Sequence, residues 1–202
     1  PPRQAVHNHK LDKPVRFPFD THHHRDHAYG NQVWVENGAT PLAHTGVHEE
    51  MKQVETGTYG GKPGRWEETA GQRPDVKAWK LKTPSLLFPK DLIFDDGKHR
   101  AELMHLGVAH THGDAVAWLP KERILFTGDV CVNGPYNFVG DGDVEKWIKT
   151  LEAARQLGAR RDQHAGGGEV PGQCRLAVRA RPAPGGRRQW APRTRLAATR
   201  AA

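Results

Sequence analysis

Seven residues from Thr21 to His27, reading Thr-His-His-His-Arg-Asp-His, constrain this chain more than any other feature. In an extended segment alternate side chains share a face, so His22 and His24 aim two imidazoles at one point. Asp26 and His27 follow and, across a turn, can present an oxygen and a nitrogen to a neighbouring point. The pattern His-x-His-x-Asp-His thus puts four ligand-type side chains within six residues, enough for two metal ions in one pocket. Polar groups crowded together without an occupant are costly to maintain. Cys131 and Cys174 are the only cysteines, too few for a thiolate zinc site or a disulfide framework, so any metal has to be held by nitrogen and oxygen.

Two elements downstream extend the pattern. His110 stands in Ala109-His110-Thr111-His112-Gly113-Asp114, in a loop between two predicted strands, with His112 as its rival. Asp129 follows the predicted strand Ile124 to Thr127 directly; the intervening Gly128 allows a sharp exit, and a carboxylate there can bridge two cations. His44, His48, His99 and His105 lack a partner motif and read as surface or packed residues. Asp141 and Asp143, flanked by Gly140 and Gly142, suggest a calcium-type loop, but the later glutamate is missing and Asp143 reads as a helix cap. Cys131 has no base in register and reads as buried packing. Trp34, Trp66, Trp79, Trp118 and Trp147 read as core or lid packing.

The elements around these motifs are legible in outline. Residues 1–14 are polar and proline-punctuated, a loose leader. Val15 to Phe19 has strand character limited by Pro18, Ala28 to Asn37 that of a short helix closed by Gly38, Leu42 to His44 that of a brief strand, and Val47 to Val54 that of a helix. Gly57 to Pro84 suits a long connection beside a site. Asp96-Gly97 turns a hairpin between Leu92–Phe94 and Ala101–His105, and Pro120-Lys121-Glu122-Arg123 joins Ala115–Leu119 to Ile124–Thr127. Asp143 opens a helix with Val144, Trp147, Ile148, Leu151 and Ala154 on one stripe, and Gly158 closes it. Strands and helices alternate around an antiparallel middle, an α/β protein.

The charge of +7 is unevenly placed. Ala159 to Ala202 holds ten Arg and two acids, leaving the first 158 residues at −1. The body thus has no basic surplus for nucleic acid. The Arg/Gly/Pro-rich stretch 159–202 reads as a disordered tail, or as the product of a shifted reading frame or gene fragment. No apolar run approaches the roughly 18 residues of a membrane span, and no signal-peptide pattern opens the chain. It reads as soluble, with cytoplasm and periplasm both compatible and its oligomeric state open.

In order and context, the three elements resemble the metallo-β-lactamase superfamily from about Val15 to Gly158. The resemblance implies an αββα sandwich over 15–158, lacking N-terminal strands and the C-terminal part, since about 20 residues precede the first motif and the family's last Pro-Gly-His-Gly histidine is not in place. His164 lies near that position without its Pro-Gly or its strand. It implies that His22, His24 and His110 hold a first zinc and Asp26 and His27 a second, with Asp129 bridging and His112 outside the ligand set. The implied activity is dizinc hydrolysis of an ester, thioester, lactone or β-lactam bond in a small-molecule substrate by a bridging hydroxide, with Asp26 handling the proton. Iron or manganese could replace zinc. The alternatives are a truncated or inactive metal-binding member and a di-iron redox member.

Overall fold

A computed structural model describes residues 14–56, 72, 80–132, 137–159, 161–164 and 169–171. The elements are β1 (Phe19–Asp20), α1 (Arg25–Ala28), α2 (Asn31–Glu36), β2 (Leu42–His44), α3 (Thr45–Glu55), β3 (Leu86–Phe88), β4 (Asp91–Asp95), β5 (Arg100–Met104), β6 (Val116–Leu119), β7 (Ile124–Gly128), α4 (Val144–Gln156), β8 (Arg161–His164) and β9 (Glu169–Pro171). They form two sheets. The smaller runs β1-β2-β3, all parallel. The larger runs β4-β5-β6-β7-β8-β9, antiparallel as far as β7, with β8 parallel to β7 and β9 antiparallel to β8.

Period-two alternation builds three packed seams. Leu42, Phe88, Leu103 and Ala115, with Phe19, Leu92 and Ala117 against them, fill the space between the two sheets. One step along β2, Ala43 faces the other way and packs with Ala28, Val47 and Met51, which lays α1 and α3 on the small sheet. One step along β6, Val116 and Trp118 likewise turn outward, meeting Leu125, Trp147 and Ala154, which lays α4 on the large sheet. The layering is helix, sheet, sheet, helix.

Asp143 caps α4, its Oδ1 accepting from Lys146 N at 3.0 Å, and Gly158 ends it at φ +67°, both as its sequence predicts. Trp147, Leu151 and Ala154 keep to the buried stripe, whereas Val144 is exposed in the first turn. The predicted strand at Val15 to Phe19 is shorter and later. Arg16 O and Pro18 O accept from Thr40 N and Leu42 N, but Pro18 has no N–H to return, so a ladder forms only from Phe19. The predicted helix Ala28 to Asn37 starts later, at Asn31, as α2; Ala28 ends α1, and Tyr29-Gly30 is a turn between the two. β3, β8 and β9 were not expected. Most of the expected tail, the leader before Pro14 and most of the long connection lie outside the described residues.

Leu42 is almost fully buried between the sheets. Leu42→Ala is expected to lower stability by about 2–5 kcal/mol in denaturant unfolding. Leu87→Ala, at an exposed position of the same small sheet, should cost under ~1 kcal/mol.

Candidate metal centre

The histidine run leaves the end of β1 as a short loop, Thr21 to His24, and enters α1 at Arg25. Its backbone is fixed from the large sheet, because Thr21 O accepts from Ala115 N at 2.9 Å. His110 sits in the loop between β5 and β6, and Asp129 immediately follows β7. Helix α4 holds both of these loops: Thr150 Oγ1 donates to Val108 O and Trp147 Nε1 to Val130 O, each at 2.8 Å. At the end of β7 the ladder slips past Thr127 and Gly128 adopts φ +52°, turning Asp129 toward the histidines.

Five of the six sequence-predicted residues meet there. His24 Nδ1 lies 2.7 Å from His110 Nε2. His22 Nε2 lies 3.9 Å from Asp129 Oδ2, and His110 Nε2 lies 3.5 Å from the same oxygen. His27 Nε2 lies 3.4 Å from Asp129 Oδ1. Ligand-type atoms of His22, His24 and His110, and again of His22, His27 and Asp129, fall within 4.8 Å of one another. Asp26 stands at the rim: it is 73% exposed, with Oδ2 3.6 Å from His27 Nε2, and belongs to neither triplet. His112 is 63% exposed and points at Glu50, 3.7 Å away. His164 is placed by its backbone alone, opposite Gly128 in the β7–β8 register.

Hydrogen bonds and burial decide which ring nitrogens keep a lone pair. His110 Nδ1 donates to Phe138 O at 2.8 Å, and a carbonyl can only accept, so Nε2 carries the lone pair. His24 Nε2 donates to Asp141 Oδ2 at 2.8 Å, which leaves its Nδ1 bare. Burial pushes His24 down to about 4, outweighing the hydrogen bond to Asp141, and pushes His110 down too, outweighing the bond to Phe138 O. Burial, reinforced by the surrounding imidazoles, holds His22 well below its ordinary value. All three are therefore neutral at pH 7. For His27 burial is the largest influence and lowers it, but its hydrogen bond to Asp129 and the neighbouring carboxylates together raise it. For Asp129 burial acts upward and is outweighed by His27, leaving the carboxylate below its ordinary value.

Two bare lone pairs 2.7 Å apart repel unless something positive lies between or beside them. His22 Nε2, fully buried, has no hydrogen-bond partner. A hard-to-satisfy donor set of this kind fits a divalent cation with nitrogen and oxygen ligands. Beside it opens a cavity of about 450 Å³ lined by His24, Arg25, Asp26, Tyr29, His110, Asp129, Asn137 and Phe138.

A family model described as the metallo-beta-lactamase superfamily matches residues 13–161. The chain belongs to this superfamily. It is 26% identical over 147 residues to the 2,4-dinitroanisole O-demethylase subunit alpha of a Nocardioides species, a match covering 72% of this chain and 38% of that protein. It is 35% identical over 57 residues to a type 2 metallo-beta-lactamase of Pseudomonas aeruginosa, covering 27% of this chain and 22% of that protein. These matches span well under half the length of either relative. A solved metallo-beta-lactamase from Pontibacter korlensis superposes with a TM-score of 0.61 at 20% identity, covering 83% of this chain and 68% of that one. That likeness is one of fold.

Some partners in this superfamily member carried no local signal. Asp141, read from sequence as half of a calcium-type loop, is the acceptor for His24 from 117 residues away. Thr21 Oγ1 touches both His22 Nδ1 and His27 Nδ1, at 3.1 and 3.3 Å. The histidines without a partner motif are packed or exposed as predicted: His44 stacks on His105 with ring centroids 4.0 Å apart, His48 bonds Pro84 O, and His99 lies on the surface by Asp96. Trp118 and Trp147 are core; Trp66 and Trp79 lie outside the described residues. Among the described residues no helix is long and apolar enough to cross a membrane.

Proposed function

We propose that this chain is a metal-dependent hydrolase of an ester, thioester, lactone or β-lactam bond. In this reading His22, His24 and His110 hold one divalent cation, and Asp26, His27 and Asp129 a second, with zinc the expected ion. The observation that carries it is the 2.7 Å approach of two neutral, bare imidazole nitrogens, His24 Nδ1 and His110 Nε2, beside the partnerless His22 Nε2. Divalent cations held there would supply Lewis acidity and, by lowering the pKa of water to about 7, a hydroxide nucleophile at neutral pH.

The chain's own residues do the rest. Phe138 O and Asp141 lock the tautomers of His110 and His24, so the ligand set needs no reorganisation. Asp26, at the open rim, takes up the proton released on attack and returns it to the leaving group. Tyr29 and Phe138 bring aromatic surface to the cavity lining, and Arg25 and Asn137 add polar groups, which suits a small molecule with an apolar body and an acceptor group. Metal-free protein, reconstituted with zinc and freed of excess, should carry two equivalents by elemental analysis. It should turn over at least one member of an ester, thioester, lactone and β-lactam panel, to which an aryl methyl ether is added because of the demethylase relative. Metal uptake with no turnover would point to a binding-only member of the superfamily. Failure to bind metal at all would overturn the reading.

A further inference from the structure

Glu50 belongs to neither ligand-bearing loop, yet its carboxylate holds both. Oε2 accepts from His23 Nδ1 at 3.1 Å; His23 is the buried residue between His22 and His24. Oε1 accepts from the backbone N–H of His112 at 3.2 Å, two residues after His110. The carboxylate is only 12% exposed, where both bonds gain strength from the low local dielectric. It reaches this position from α3 because two glycines let the helix start press against the His110 loop. A Cβ on Gly113 would strike Val47 N and come within 2.9 Å of Glu50 Oε2, and a Cβ on Gly46 would lie 2.9 Å from Gly113 Cα.

The three histidines of the first cation site are divided between these loops, His22 and His24 on one and His110 on the other. Their spacing therefore depends on whatever fixes one loop against the other. Ala115 N to Thr21 O is one such tie; Glu50 is a second, and a charged one. We propose that Glu50 is a positioning residue for the metal centre, a single carboxylate on α3 that sets the separation of the two loops and so the affinity of the His22–His24–His110 site. This rests on the reading of those histidines as ligands. The His112 imidazole, 63% exposed and 3.7 Å from Oε1, is a solvent-screened neighbour that adds little; the bond that ties the loop is made by its main chain.

The test uses cobalt(II), titrated into metal-free wild type, Glu50→Ala, Glu50→Gln and His112→Ala against a chromophoric chelator. Visible absorption of the bound ion and far-ultraviolet circular dichroism of each metal-free protein are recorded alongside. Glu50→Ala is expected to bind the first equivalent about 10- to 100-fold more weakly, with an altered visible spectrum and an unchanged metal-free dichroism. Glu50→Gln keeps one acceptor oxygen for two donors and should fall between, whereas His112→Ala should match wild type. Wild-type affinity and spectrum in Glu50→Ala would overturn the proposal. If Glu50→Ala does not fold, Glu50→Gln decides, and wild-type behaviour there overturns it equally. A wild type that takes up no cobalt would overturn the metal-centre reading and this inference with it, whereas a binding wild type with unaffected variants would overturn the inference alone.

Discussion

Asp129→Ala is expected to lower bound metal from two equivalents to one or fewer and to reduce hydrolysis by about 10²- to 10³-fold. The Asp129 carboxylate faces His22, His27 and His110 with its two oxygens, so its loss removes an anion shared by both triplets' surroundings. Lewis-acid stabilisation of a reacting oxygen is worth several kcal/mol, and each 1.36 kcal/mol is about tenfold in rate. Asp129→Asn separates charge from shape. The amide fills the same volume and leaves in place the bond from Asn137 Nδ2, which is accepted by the backbone O of residue 129 and not by its side chain. It should lose metal nearly as completely. Two equivalents retained in Asp129→Asn, measured by elemental analysis on protein with unchanged dichroism, would show that this carboxylate is not a ligand.

Gly128→Ala should be a strongly damaging single-methyl change beside the site. The residue has φ +52°, where an L side chain costs roughly 1–2 kcal/mol. The added Cβ would also lie 2.6 Å from Thr21 Oγ1 and 2.8 Å from Thr21 Cβ, an overlap that forces about 1–3 kcal/mol of strain or movement. The expected loss is about 2–5 kcal/mol in denaturant unfolding, accompanied by weaker metal binding, because Thr21 and Asp129 are driven apart. Gly97→Ala is the matched control. Gly97 has φ +83° with nothing within 4 Å of its Cβ position, so it should show only the conformational cost and bind metal normally. Equal effects at the two glycines would mean that the contact with Thr21 is unimportant.

What could be read from the sequence was whatever is encoded locally. The histidine run, the Asp96-Gly97 hairpin, the Asp143 cap and the stripe of α4 each depend on neighbours a few residues apart, and each stands where it was expected. Gly128 was legible as a sharp exit, although not the Thr21 side chain that requires it. The parallel pairings were not legible. Leu86–Phe88 is three residues long and gains its strand character from β2, and Arg161–His164 is polar and gains its own from β7. The supports of the candidate ligands were equally hidden, since Glu50 is 27 residues from His23 and Asp141 is 117 from His24. An exposed-looking acid in a helix and an aspartate in a glycine-rich loop have the same appearance in sequence whether or not they face an imidazole.

The candidate ligands come from opposite leaves of the molecule. His22, His24, Asp26 and His27 hang from the small sheet through β1, and His110 and Asp129 from the large one through the ends of β5 and β7. An ion gripped there would be a clasp across the seam that Leu42, Phe88 and Leu103 fill. By mass action, occupancy at a hundred times the dissociation constant adds about 2.7 kcal/mol to the resistance of the native state to unfolding. The exchange runs both ways: loosening the apolar seam costs ion affinity even when every imidazole is intact.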